Sequence, residues 1–263
     1  MKIEANGISL NCRLDGPEGA PWLMLSNSLA TNLSMWDQQV AVLATDYRVV
    51  RYDQRGHGAS EATSGNYNFD MLADDAAGLM TALGIDQCHF LGLSMGGMTA
   101  MGLGLNHPDR VKSLTICNSR ADVTPDFKGL FDKRVAIALD QGMEPLVEST
   151  VARWFTKELR AAAPAFLDDV REMVRTTPPV GYAGCARAVQ NLNYMSRLSA
   201  IDKPVLFIAG AQDIATPAEG MRAMQAAIAG SEYVELNPAS HLSNLEQPDA
   251  FTAAAQKFLA AQN

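Results

Sequence analysis

Two stretches of strand–helix alternation, parted by the purely helical pattern of residues 122–199, constrain this chain more than any other feature. In the first stretch, short apolar runs over 8–14, 22–25, 47–52, 88–93 and 111–117 read as strands. Between them, 36–43 reads as a short helix and 95–106 as a longer one rich in Ala, Met and Gly. Phe69, Leu72, Ala76, Leu79, Met80 and Leu83 recur at helical spacing, and Gly84 supplies the stop. Such a rhythm implies a mostly parallel sheet covered on both faces. Helices are then expected over 130–139, 145–155, 164–174 and 182–192, with Pro178-Pro179 separating the last two. Alternation resumes with strand 205–209, helix 217–228, strand 233–236 and helix 248–260. With no linker composition at either end, 122–199 reads as a cap on a core formed by 1–121 and 200–263. In α/β proteins such a cap is expected over the strand ends, where sites form.

Composition narrows the chemistry by exclusion. Lys plus Arg total 21 against 29 Asp plus Glu, a net charge of -8. Nucleic-acid binding needs a basic face to displace counterions from phosphate, so no nucleic-acid partner is expected. No apolar run approaches the roughly 20 residues that span a bilayer, so no membrane partner is expected either. The opening MKIEANGISLNCRLDG shows no signal-peptide pattern, which points to the cytoplasm. Cys12, Cys88, Cys117 and Cys185 are scattered without a C-x-x-C pair and read as free core thiols. The four histidines form no cluster, and neither a metal nor a cofactor is expected. The sequence sets no oligomeric state.

The strongest local motif is Gly92-Leu93-Ser94-Met95-Gly96, a G-x-S-x-G. Chance gives such a pentapeptide in roughly one chain in ten of this size, so its position decides. It lies between an expected strand and a small-residue helix, where a sharp turn forces the serine into strained angles. The flanking glycines remove side-chain collisions, and the first helical N–H groups face a developing oxyanion.

A serine hydroxyl needs a base. His107, in Asn-His-Pro at a helix end, reads as a cap or solvent-facing residue, and His89, inside a strand, as packed or at an edge. His57, in a glycine turn, competes more seriously. His241 follows the 233–236 strand in a loop and comes last, which fits the serine, acid, histidine order that accompanies this motif. Asp213 follows the 205–209 strand and is the choice for the acid, ahead of Asp202 and Glu235. Thr216-Pro217 is expected to cap and start the next helix. The oxyanion donors chosen are Met95 N–H and, from the loop after the 22–25 strand, Leu29 N–H, with an offset of one residue open. Metal-free acyl transfer from a small ester or lactone follows from these choices.

Ser26-Asn27-Ser28-Leu29, the 52–58 block YDQRGHG, GLSMGG, GAQD and HLSNLEQP together resemble the 3-oxoadipate enol-lactonases, α/β hydrolases of bacterial aromatic catabolism, over nearly the whole chain. Asn27-Ser28-Leu29 and Arg153-Trp154-Phe155-Thr156 point most narrowly to that branch. The resemblance implies an α/β-hydrolase fold, a mostly parallel sheet with a helical cap inserted after the sixth strand. It implies a structural role for His57 and a substrate pocket lined near Trp154. It also implies an anionic substrate in the β-ketoadipate pathway, for which Arg120 and Arg153 are the candidate partners, each with a surface or salt-bridge role as its alternative. Ser119-Arg120-Ala121-Asp122 departs from the small, uncharged stretch expected there. That departure favours a carboxylesterase or acyl-transferring enzyme of other specificity as the runner-up. A non-catalytic ligand-binding relative is the alternative from another class. Met95, Met98 and Met101 read as core filling, with an adaptable pocket as the alternative.

Overall fold

The chain first reverses at Asn6-Gly7. Both residues have positive φ, 49° and 75°, as a two-residue hairpin turn requires. They fold β1 (Lys2–Ala5) back on β2 (Ile8–Asp15), with Ala5 opposite Ile8. Apolar runs alone do not predict β1, because only Ala5 of its four residues is buried; the Asn-Gly pair is the signal that marks it. The alternation then proceeds as expected through β3 (Trp22–Ser26), α1 (Asp37–Leu43), β4 (Arg48–Tyr52), α2 (Phe69–Ala82), β5 (Cys88–Leu93), α3 (Met95–Asn106) and β6 (Val111–Cys117). Asn68 caps α2 by accepting the Met71 N–H, and Gly84, at φ 69°, follows its end.

Five α-helices separate β6 from the next strand: α4 (Pro125–Gln141), α5 (Val147–Trp154), α6 (Lys157–Ala162), α7 (Phe166–Thr176) and α8 (Pro179–Gln190). Helix α4 begins earlier than its apolar spacing suggests, because Thr124 and Pro125 supply a cap and a first-turn proline ahead of the periodic residues. Helix α6 is too short to show periodicity; Thr156 caps it through the Leu159 N–H. The chain closes with β7 (Val205–Gly210), α9 (Ala218–Ala227), β8 (Glu232–Leu236), α10 (Ser243–Glu246) and α11 (Pro248–Ala260).

The computed structural model describes residues 1–262. Its strands form one sheet in the order β1-β2-β4-β3-β5-β6-β7-β8. The β1/β2 and β2/β4 pairs are antiparallel and the rest are parallel. Every residue of β5 and β7 is buried, as expected where a sheet is covered on both faces. All four cysteines are buried and free. Among the described residues no helix is long and apolar enough to cross a membrane.

Two seams tie the inserted helices to the sheet-bearing part. At one, the Trp154 carbonyl accepts the His241 and Leu242 N–H groups at 3.0 and 3.2 Å. There the buried Glu246 carboxylate also accepts the Thr156 N–H at 3.1 Å and the Ser240 N–H at 2.7 Å. At the other, Gly181 of α8 meets Gly56 so closely that a Cβ on Gly56 would lie 2.4 Å from the Gly181 Cα. A side chain at either glycine would push the backbones apart.

Candidate active site

Ser94 lies between the end of β5 and the start of α3 with φ 57° and ψ -112°, a costly backbone for a residue with a side chain. The turn closes because its neighbours lack Cβ atoms. A Cβ on Gly92 would sit 2.1 Å from the Gly96 carbonyl oxygen, and one on Gly96 2.0 Å from that of Ser26. From below, the Ser94 N–H donates to the Cys117 carbonyl at 2.8 Å, and the Ser119 hydroxyl donates to the Ser94 carbonyl at 2.9 Å.

The Ser94 Oγ lies 2.9 Å from His241 Nε2, and His241 Nδ1 lies 2.8 Å from Asp213 Oδ2. A carboxylate only accepts, so Nδ1 carries the ring proton and Nε2 is left bare to accept the serine O–H. All three residues are buried. Ala215 and Thr216 N–H groups donate to Asp213 Oδ1 at 2.8 and 2.9 Å, and the Thr216 hydroxyl donates to Oδ2 at 2.6 Å. Burial alone would raise the Asp213 carboxyl, but the His241 ring and the Thr216 donors outweigh it and hold it below its ordinary value. Thr216 therefore serves the aspartate, and Pro217 takes the cap position of α9 that the sequence suggests for the threonine.

Asn118, which sequence reasoning misses, donates to Asp213 Oδ2 at 2.9 Å and to the Ser240 carbonyl at 3.1 Å. Its Oδ1 accepts the Ser243 hydroxyl at 2.5 Å. One buried amide thus joins the aspartate to the loop carrying the histidine. The available signal is a polar residue directly after the apolar β6.

The competitors separate cleanly. His107 Nε2 pairs with Asp74 at 2.7 Å and is part-exposed. His89 is buried beside the Tyr47 ring, with Nδ1 2.8 Å from the Ser113 hydroxyl. His57 is buried in the turn after β4. Asp202 and Glu235 pair with Lys203 and Arg222.

Leu29 and Met95 line a cavity together with Ser94, His241, Trp154 and Arg153. Among the described residues neither the Leu29 nor the Met95 N–H meets a protein acceptor. The Trp154 ring stacks on His241, centroids 6.3 Å apart at 29°. Met98 also faces this cavity, whereas Met101 is core.

Arg120 and Arg153 part company. The Arg120 guanidinium lies 3.7 Å over the Phe127 ring and donates to the Ala215 carbonyl at 3.2 Å. It faces a neighbouring cavity beside Thr216 and Met195, and its Nε and Nη1 have no hydrogen-bond partner among the described residues. Arg153 faces the Ser94 cavity with no hydrogen bond or ion pair among the described residues; burial and the nearby Arg134 charge lower its pKa. Arg134, absent from the sequence-based candidates, lines the same cavity and bonds only neutral hydroxyls: Tyr182 at 3.0 Å, Ser149 at 3.2 Å, and Thr150. By contrast Arg171, Arg175 and Arg187, also on inserted helices, each pair with carboxylates. Among the described residues, the Ser94 cavity therefore holds two cationic groups without a protein counter-ion.

Comparison with known proteins agrees with this architecture. The 3-oxoadipate enol-lactonase 1 of Acinetobacter baylyi is 37% identical over 251 residues, 95% of this chain and 93% of that protein. The 3-oxoadipate enol-lactonase 2 of the same organism is 35% identical over 255 residues, 97% of this chain and 94% of that protein. The crystal structure of the enol-lactonase from Burkholderia xenovorans LB400 superposes with a TM-score of 0.95 at 40% identity, covering 99% of this chain and all of that one (100%). The profile of the alpha/beta hydrolase fold family matches residues 21–248, and the chain belongs to that family.

Proposed function

We propose that this protein is a cytoplasmic serine hydrolase that opens 3-oxoadipate enol-lactone through an acyl-enzyme, within the β-ketoadipate pathway of aromatic catabolism. The observation that carries the reading is the continuous Ser94–His241–Asp213 relay, at 2.9 and 2.8 Å, on the wall of a cavity. The enol-lactonase names of the relatives support the choice of lactone.

In this reading Ser94 Oγ attacks the lactone carbonyl while His241 Nε2 takes the hydroxyl proton, and Asp213 stabilises the imidazolium. The carbonyl oxygen becomes an oxyanion held by the Leu29 and Met95 N–H groups. Collapse breaks the ring C–O bond, and His241 returns its proton to the leaving enol oxygen, which becomes a ketone on tautomerisation. Water, deprotonated by His241, then attacks the acyl-serine and releases a carboxylate and free Ser94. Residues 122–199 act as the cap over a core of 1–121 and 200–263. Trp154 supplies an apolar wall beside the histidine. Arg153 and Arg134, lacking acids of their own, supply the counter-charge for the substrate's pendant carboxylate. Arg120 acts at one remove, backing Phe127.

Hydrolysis of 3-oxoadipate enol-lactone beside p-nitrophenyl acetate, with wild type and Ser94→Ala, tests the reading. Serine-dependent lactone turnover well above the control is expected. Comparable feeble rates on both substrates reject the lactone while leaving an esterase. Arg153→Ala and Arg134→Ala are each expected to raise KM for the lactone about tenfold or more, with little change for the uncharged ester. An unchanged KM in both rejects the carboxylate subsite.

A further inference from the structure

The turn after β4 holds a buried ring, His57, that no step above uses. Its Nδ1 lies 3.2 Å from the Arg55 carbonyl, which can only accept, so Nδ1 carries the proton. Nε2 is therefore bare, and it accepts the Ala30 N–H at 2.9 Å. Ala30 directly follows Leu29 and has φ 61°, the left-handed region that a side chain disfavours. The rest of the loop is held as closely. The Ser28 N–H donates to Met35 Sδ at 3.4 Å, and the Ser28 carbonyl accepts the Thr31 hydroxyl at 2.8 Å and the Thr31 N–H at 3.3 Å. Gln54, itself held by Thr99, donates to the Asn27 carbonyl at 2.6 Å. From Ser28 to Thr31, Leu29 alone has an N–H without a protein acceptor among the described residues.

We infer that His57 is a positioning residue for the oxyanion hole: by accepting the Ala30 N–H it fixes the Leu29–Ala30 peptide against the unfavourable φ of Ala30, and so holds Leu29 between two anchored peptides with its own N–H, on the Ser28–Leu29 peptide, presented to the Ser94 cavity. Loss of that acceptor lets Ala30 relax toward negative φ; the Leu29–Ala30 peptide turns with it, and the adjoining Ser28–Leu29 peptide, which carries the donor, is pulled out of place. The defect falls on the transition state, because the Leu29 donor matters most when the carbonyl oxygen carries full charge. Substrate binding, set by Trp154 and the two arginines, is untouched. This inference rests on the acyl-transfer reading above.

Three variants test it: His57→Gln, whose amide oxygen reaches the Nε2 position, His57→Asn, of the same chemistry but shorter reach, and His57→Leu, with no acceptor. Thermal melts verify folding, and kcat and KM are measured on the lactone and on p-nitrophenyl acetate. His57→Gln is expected to keep kcat within about threefold. His57→Asn and His57→Leu are expected to lose about 30- to 100-fold in kcat with KM within about twofold, the scale of a misplaced or missing oxyanion donor. Should His57→Leu not fold, the Gln and Asn pair carries the test. A folded Asn variant with wild-type kcat, equal losses in Gln and Asn, or a loss confined to KM overturns the inference. Absence of Ser94-dependent turnover in wild type overturns the acyl-transfer reading itself, a result in which no His57 variant takes part.

Discussion

The loop after β8 and the turn after β4 each bury one histidine, in the same tautomer, with both ring nitrogens engaged. What differs is the partner. His241 has a carboxylate on Nδ1 and a hydroxyl on Nε2; His57 has a peptide carbonyl on Nδ1 and a peptide N–H on Nε2. A hydroxyl can surrender its proton to the ring, and a carboxylate stabilises the imidazolium that results. A peptide N–H surrenders nothing, and burial pushes the His57 pKa down to about 4, which keeps the ring an acceptor. On the proposed mechanism, burial and hydrogen-bond count are therefore poor guides to which histidine does chemistry. The charge and acidity of the two partners decide it.

The largest test of this contrast exchanges each ring for an amide. His241→Gln, like Ser94→Ala, is expected to lower kcat about a million-fold, against a few-fold for His57→Gln; equal losses would erase the distinction. Next comes Asp213→Asn, expected to lower kcat about ten-thousand-fold. The two aspartate oxygens accept from two N–H groups, the Thr216 hydroxyl, Asn118 and His241. An amide NH2 placed at either oxygen therefore faces donors, and at Oδ2 it drives His241 into the wrong tautomer. Retained activity in Asp213→Asn would show that the carboxylate charge is dispensable and that His241 differs from His57 only in its serine.

Much of this contrast is legible in the order of residues along the chain. Gly92 and Gly96 mark the turn at Ser94, and the positions of Asp213 and His241 after late strands separate them from the other acids and histidines. The sheet is legible because its central strands are continuous apolar runs. Other features depend on geometry that a linear pattern does not carry. Arg120 and Arg153 look alike as lone arginines beside cap residues, yet one stacks on Phe127 and the other faces the cavity. Arg134 follows two other charged residues, Asp132 and Lys133, mid-helix, and only the fold shows that its hydrogen-bond partners among the described residues are neutral. Asn118 and Thr216 reach Asp213 from separate segments, a convergence invisible to local spacing.

Stability against pH gives a third, smaller test. His57 goes from an ordinary value of 6.5 to about 4 in the fold, so between those values the unfolded chain takes up a proton that the native ring refuses. Its contribution is present above pH 6.5 and lost as pH falls toward 4, about 3 kcal/mol over the whole window. Asp53 and the Cys185 thiol also face the ring, and Arg55 pairs with Asp75 close by. The measurement is therefore a difference: urea unfolding of wild type and His57→Gln at pH 7 and pH 4.5. The wild type should lose more stability than the variant. Parallel losses would mean that the ring is already protonated in the native state and cannot be accepting from Ala30.

The smallest test moves one step outward, to the residue that shares each histidine's Nδ1 partner. Asn118 steadies Asp213, while the Cys185 thiol donates to the Arg55 carbonyl at 3.4 Å. Asn118→Ala removes three buried hydrogen bonds and frees the aspartate to drift from His241, so kcat is expected to fall about tenfold with KM unchanged, alongside about 1–3 kcal/mol of stability. Cys185→Ala removes only a weak thiol donor and leaves the Arg55 carbonyl to His57 alone, so kcat should change less than about twofold. The asymmetry follows from charge: in the proposed mechanism a misaligned carboxylate forfeits stabilisation of the imidazolium formed in each turnover, whereas a carbonyl beside a ring that stays neutral at pH 7 has little to forfeit. A larger loss from Cys185→Ala than from Asn118→Ala would mean that the turn after β4 carries more of the chemistry than the loop after β8, the reverse of what the partner atoms imply.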